Sequence, residues 1–228
     1  MRTLQAIVLA ALVGAANALA GTVLVEKGQP RAAIVLAAQP SEQAREAAVL
    51  LRDYIERITG ATLELRDDSA PVTGPRVLVG NSVATRSLGI EVPARFTNAM
   101  NEEEYLIKTV GDAVVLAGND HPFYRGTVYA VDDFLERLGC RWFFPGAFGE
   151  VVPKRDTLVL DGMEAHERPD FRLRNIWYSG WMPVQGNDAA EYTVWMDRNR
   201  MNTLKGLSLP GDGSITRLAP PETYFASH

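Results

Sequence analysis

Residues 125–146 read "RGTVYAVDDFLERLGCRWFFPG", a helix running to a glycine with a densely aromatic strand behind it. Val128, Val131, Leu135 and Leu138 recur at three- and four-residue steps, and Phe134 widens the stripe. That spacing predicts an amphipathic helix over about 126–138, stopped at Gly139. Asp132, Asp133 and Glu136 fall between the apolar positions and are expected on a solvated face. A short strand is expected near 140–143. Trp142, Phe143 and Phe144 come too thickly there for a strand with one wet face. Core packing is the preferred reading of this corner. A surface for another domain comes second and a ligand pocket third.

Working outward, residues 22–26 and 32–38 read as short apolar strands broken by Gly28-Gln29-Pro30. Ser41 suits an N-cap, and Ala44, Ala47, Ala48, Leu51, Tyr54, Ile55 and Ile58 then follow helical spacing as far as Gly60. Strands are expected at 62–65, 76–79 and 157–160, with a hairpin of 105–110 and 113–117 around Gly111-Asp112. Glu102, Glu103 and Glu104 look like a wet edge before that hairpin, and Asp67 and Asp68 like a turn. Few helices among many strands, several of them joined by hairpins, predict an α+β fold: a mixed sheet with helices packed on one face.

Beyond Gly162 the pattern changes. "RPDFRLRNIWYSGW" predicts a strand after Pro169, "AAEYTVWMDRNRMN" a helix, and "TLKGLSL" a second strand. Strand, helix, strand is how a (β/α)8 barrel begins, and such a barrel takes about 250 residues. Only 58 residues follow Asp170. The expectation is therefore an incomplete barrel, truncated after its first repeat.

Composition bounds the function. The chain of 228 residues is 46% apolar and 22% charged with a net charge of −5, which lacks the basic face that nucleic acid requires. "MRTLQAIVLAALVGAANALA" has Arg2, an apolar run and the small-x-small site Ala18-Leu19-Ala20, the layout of a cleavable secretory signal. No later run approaches the roughly 18 apolar residues of a membrane span. The protein is expected to be periplasmic or secreted. Cys140 is the sole cysteine, which rules out an intrachain disulfide and predicts a small buried hydrophobe.

Candidate chemistry is sparse. Glycoside hydrolysis uses two carboxyl groups across the scissile bond, and no acidic pair here makes a convincing one, so no catalytic residue is assigned. His121, His166 and His228 are far apart and lack ligand spacing, so neither a metal nor a cofactor is expected. Ser179 has no nucleophile-elbow context. "GNDHPFYRG" (118–126) could cradle an anion before the helix, but it lacks the P-loop ending, and a plain turn is the preferred reading.

Four segments carry a resemblance: "AAVLLRDYIERITGATLEL", "RGTVYAVDDFLERLGCRWFFPG", "VVPKRDTLVL" and "RPDFRLRN". In this order they resemble the N-terminal region of exported bacterial glycoside hydrolases. In those proteins an accessory α+β domain, shared by α-glucuronidases and β-N-acetylhexosaminidases, precedes a catalytic TIM barrel. The branch most resembled is one described as a domain of unknown function, some members of which act on glycans. The resemblance covers about residues 22–178. It implies a signal peptide at 1–20, an accessory domain at 21–165 and the start of a barrel at 166–228, with the catalytic acids on later strands. It also implies an oligosaccharide or polysaccharide substrate. In hexosaminidases a Pro-x-Phe-x-x-Arg-Gly pattern on the first barrel strand supplies an arginine that holds sugar hydroxyls. Pro169, Phe171 and Arg174 match it, whereas Asn175 and Ser179 stand where a glycine and an aspartate belong, against acetylhexosamine specificity. Arg174, Ile176 and Tyr178 share one face of that strand. An α-glucuronidase-like reading stresses Asn175 and Trp177 on the other face. Trp177 and Trp181 are candidates to stack on a sugar ring. Arg174 paired with a neighbouring carboxylate, and Trp177 packed against a helix, are the structural alternatives. A non-catalytic carbohydrate-binding or surface-interaction module is the rival reading for the whole chain.

Overall fold

The computed structural model describes residues 21–97, 101–171, 174 and 187–202. Its elements are β1 (Thr22–Glu26), β2 (Gln29–Pro30), β3 (Ala33–Leu36), α1 (Glu42–Thr59), β4 (Glu64–Asp67), β5 (Arg76–Val79) and α2 (Val83–Ser87). These are followed by β6 (Tyr105–Val110), β7 (Ala113–Gly118), α3 (Gly126–Arg137), β8 (Arg141–Trp142), β9 (Glu150–Val151), β10 (Leu158–Leu160), β11 (Glu164–Glu167) and α4 (Asn187–Arg198).

The fold is α+β around a six-stranded mixed sheet in the order β11-β6-β7-β5-β3-β4. Strands β3, β4, β5 and β7 run parallel, and β6 and β11 are antiparallel to their neighbours. The sequence of β7, AVVLAG, has no polar side chain and is buried at every position, as a central strand covered on both faces requires. The hairpin forms as expected, with Val110 opposite Ala113 around Gly111. Both margins, β4 and β11, are short, charged and largely exposed.

Helices α1 and α3 cover one face. Leu51, Ile55 and Ile58 of α1 meet Val128, Val131, Phe134 and Leu135 of α3 over Ile34, Val77, Val114 and Leu116. Each such large side chain contributes roughly 1.5–3 kcal/mol when fully buried. A small sheet in the order β10-β1-β2 adds Leu24, Val25, Leu158 and Leu160 to the same core. The opposite face is thinner, with Val35, Leu78, Val115 and Ala117 under the short α2 and Ile90.

The starts of α1 and α3 are tied together. Ser41 Oγ accepts the Ala44 N–H at 3.0 Å and donates to Asp120 Oδ2 at 2.6 Å. Asp120 also accepts the Thr127 N–H at 3.0 Å, and Glu103 accepts the Arg125 N–H at 2.8 Å. These carboxylates satisfy donors that a helix start leaves open and sit at its positive end. Stretch 118–126 is thus a turn whose anion-binding geometry the protein's own acids already occupy. Gly126 has no room for a Cβ, which would lie 2.3 Å from Asn119 N. Backbone therefore packs on backbone where β7 hands over to α3.

Several expectations need correction. Glu102, Glu103 and Glu104 are buried rather than a wet edge, because partners from distant parts of the chain close over them. Glu102 accepts from Tyr124 Oη at 2.7 Å and pairs with Thr97, while Glu104 meets Arg95 and His166. The solvated face expected of α3 is likewise absent. Asp132 is 0% exposed beneath α4, and Asp133 is enclosed by Tyr105 Oη and Arg137. The strand expected near 140–143 shrinks to Arg141–Trp142, Gln29–Pro30 pairs with β1 as β2 where a break was expected, and β9, β11 and α2 were not foreseen. Cys140 is a buried free thiol, as expected, with its pKa pushed up to about 11 chiefly by burial. The strands expected at 170–178 and 203–209 lie outside the described residues, apart from single positions.

Candidate functional site

Helix α3 has a second stripe on its outer side. Arg125 precedes its first turn, and Tyr129, Asp132 and Glu136 follow at helical steps, so all four line up along one face. The end of α4 and the turn after it bring a complementary series to that face. Arg125 Nη2 lies 3.8 Å from Asp197 Oδ2, Asp132 Oδ1 3.2 Å from Arg198 Nη1, and Glu136 Oε2 2.7 Å from Arg200 Nη1. Tyr129 Oη donates to the Met201 carbonyl at 3.3 Å. Buried Met196 and half-buried Trp195 supply the apolar part of the contact.

Arg174 closes one end of this seam. Its backbone N–H donates to Asn202 Oδ1 at 2.8 Å, and its Nε donates to the Arg200 carbonyl at 2.9 Å. Nη1 donates to the Phe171 carbonyl at 2.8 Å, and Nη2 pairs with the buried Glu103 carboxylate. The guanidinium also lies 5.9 Å from the centroid of the Tyr129 ring. Of the two roles open to Arg174, pairing with a neighbouring carboxylate is the arrangement present. Trp177 and Trp181, as well as Asn175 and Ser179, lie outside the described residues.

The aromatic corner closes the other end. Trp142 is core: its ring meets Tyr54 edge-on at 5.6 Å, and its Nε1 donates to Tyr54 Oη at 2.9 Å. Its carbonyl is interface, accepting Trp195 Nε1 at 3.0 Å and Asn199 Nδ2 at 3.1 Å. Trp142 therefore belongs to the core, the preferred reading, and also touches the end of α4. Phe143 and Phe144 instead point outward and are exposed.

Burial dominates the electrostatics of the seam. It pushes the Asp132 carboxyl up to about 7 against the pull of Arg198, Arg200 and Arg125. It also raises Glu103, opposed by Arg174 and Arg125. Asp132 Oδ2, Arg125 Nε and Arg198 Nε have no hydrogen-bond partner. Arg200 Nη1 touches Glu136 closely but without hydrogen-bonding angles. Raised carboxyls suit acid catalysis, yet Asp132 and Glu103 are buried away from substrate. What this arrangement can do is hold a following segment in one orientation.

Elsewhere the candidates thin out. Among the described residues no group of three or more His, Cys, Asp or Glu is placed to hold a metal ion. His121 stacks on Phe96, His166 faces Glu104, and His228 lies outside the described residues. A cavity of about 440 Å³ on the thin face is lined by Val35, Val72, Leu78, Arg76 and Asp68. Asp68 caps α2 there, accepting from Val83 N and Ala84 N. The seam itself was missed in the sequence. Its available signal was the run "DRNR" at 197–200, opposite in sign to the acids of α3.

No protein-family model matches this chain, and no curated protein matches it. Among solved structures, similarity is found to a family GH115 4-O-methyl-alpha-glucuronidase, BtGH115A, with specificity for decorated arabinogalactans. The TM-score is 0.46 and the identity 22%, over 64% of this chain and 18% of that one.

Proposed function

We propose that this chain is the N-terminal portion of an exported glycan-acting hydrolase. In this reading the α+β domain is an accessory seat for a catalytic unit that opens near Pro169. The observation that carries the arrangement is the seam: Arg174 and the end of α4 are fixed to Glu103 and α3 by buried and half-buried charge pairs, as a rigid platform for a following unit requires. The glycan class rests on the four sequence segments described above. Arg174 here positions the first strand of the unit, Trp177 and Trp181 remain the residues assigned to sugar stacking, and residues 1–20 direct export to the periplasm or beyond.

A second reading, a carbohydrate-binding module without catalysis, is favoured by one feature. Phe96 lies on His121 with centroids 4.2 Å apart and planes 8° apart, beside the exposed Phe123. Such a cluster of partly exposed aromatic rings can accept a sugar ring.

The test is incubation of the complete polypeptide with oligosaccharides carrying uronic acid or N-acetylhexosamine, followed by product analysis and binding titration. Hydrolysis that is lost in Trp177→Ala and Trp181→Ala supports the hydrolase. Binding without hydrolysis, weakened by Phe96→Ala, moves the assignment to the module. Neither hydrolysis nor binding overturns both.

A further inference from the structure

Just past Trp142 the chain forms a tight loop, 143–149, whose apolar side chains face solvent. Phe143 and Phe144 are largely exposed, and Phe148, in the last turn of the loop, is 95% exposed. The loop is held rather than loose. Phe143 N donates to the Gly149 carbonyl at 2.8 Å, and Gly149 N donates to the Gly146 carbonyl at 3.1 Å. A Cβ on Gly149 would lie 2.1 Å from Phe144 O, so the loop's two sides are in backbone contact. Its inner side already touches α4: a Cβ on Gly146 would lie 2.5 Å from Glu191 Oε2. Val194, one turn beyond Glu191 on the same side of α4, is exposed as well.

We propose that this phenylalanine loop, together with Val194, is a docking surface for the part of the same polypeptide that follows Asn202. The inference rests on the reading that a folded unit continues from α4. Continuity with the seam selects this occupant. The apolar groups lie on both sides of the contact between Gly146 and Glu191, so whatever covers them must touch the α+β domain and α4 together. A segment leaving the end of α4 is tethered beside the surface at an effective concentration on the order of millimolar, which a free partner must exceed. Exposed aromatic side chains on a pre-formed loop act as anchors of the kind that dominate protein interfaces, because little freedom remains to be lost on docking. The proposal also accounts for a large apolar side chain held in solvent by a hydrogen-bonded loop, where an isolated domain gains nothing from it.

The experiment is site-specific photocrosslinking in the complete polypeptide. Phe148 is replaced by p-benzoylphenylalanine, with Val159, half exposed on β10, replaced likewise as a control. Because Phe148 makes so little contact, the substitution leaves the fold intact. The expected result is an intramolecular crosslink from position 148 to a peptide beyond Asn202, with none from position 159. Crosslinks between copies that grow with protein concentration, crosslinks only to residues before 203, or none at all each overturn the proposal. Glycan hydrolysis is assayed on the same samples. Activity without the crosslink sinks the docking surface and leaves the functional reading standing. The crosslink without activity or glycan binding does the reverse.

Discussion

Burial holds the Asp132 carboxyl at about 7, against 3.8 in an unfolded chain, even with Arg198 at 3.2 Å. Between those values the folded protein keeps a proton that the unfolded chain releases. This group's contribution to stability is therefore complete below 3.8 and lost as pH rises through about 7. Asp197 works in the same direction, and Arg198, Arg200 and Arg125 oppose it. We expect denaturant midpoints to fall between pH 5 and pH 8, and Asp132→Asn to flatten that fall. Glu103 and Asp120, also raised by burial, leave part of it. An unchanged slope in Asp132→Asn would refute this account. Arg174 and Glu103 make a second case. Removing one partner of a buried pair strands the other, so Arg174→Ala is expected to destabilise by about 3 kcal/mol. Adding Glu103→Gln should recover part of that loss, since the stranded charge disappears. A double-mutant cycle in urea measures the coupling. Arg174 stood out in the sequence through its place in the Pro-x-Phe-x-x-Arg pattern. Asp132 did not, because helical spacing shows only that a residue leaves the apolar stripe and cannot show that another helix covers it.

At the scale of elements, the junction of β7 and α3 has the least slack. A methyl group at Gly126 would meet only backbone, at 2.3 Å from Asn119 N. Gly126→Ala is expected to lower stability by at least 1–3 kcal/mol, roughly the range for overpacking, whereas Gly162→Ala, with open space around it, should change little. Urea midpoints of the two variants decide this, and equal midpoints would count against it. The elements that were legible were those with their own period and punctuation. Helix α1 runs from its Ser41 cap to Gly60, and β6 and β7 turn at Gly111. Strand β11 was not legible because its sequence, EAHE, has no apolar alternation. It is held by pairing with β6 and by contacts such as Lys108 to Glu164 at 2.7 Å. Helix α2 was hidden because five residues are too few to display a period; its Ser82 cap is local, and Asp68 adds acceptors from another part of the chain.

For the molecule as a whole, α4 joins the α+β domain through Trp142, which belongs to the core and to the seam at once. Tryptophan emission, to which Trp142 and Trp195 contribute, and far-ultraviolet dichroism, dominated by the sheet and helices, are expected to share one thermal midpoint. An earlier emission change would mean that the seam opens first. The α+β class was readable from the order of the elements, whereas β11 carries the main sheet past Gly162, where the sequence pattern changes. The way the end of α4 meets α3 was not readable, because it depends on charge pairs between segments far apart in sequence. The margins of the main sheet have a consequence of their own. Glu64, Arg66 and Asp67 stand along β4, and Glu164 and Glu167 along β11. Crowded copies meeting flank to flank must strip water from those ionised groups before their open peptide bonds can knit together, so fibrous self-assembly is held off however well the backbones match.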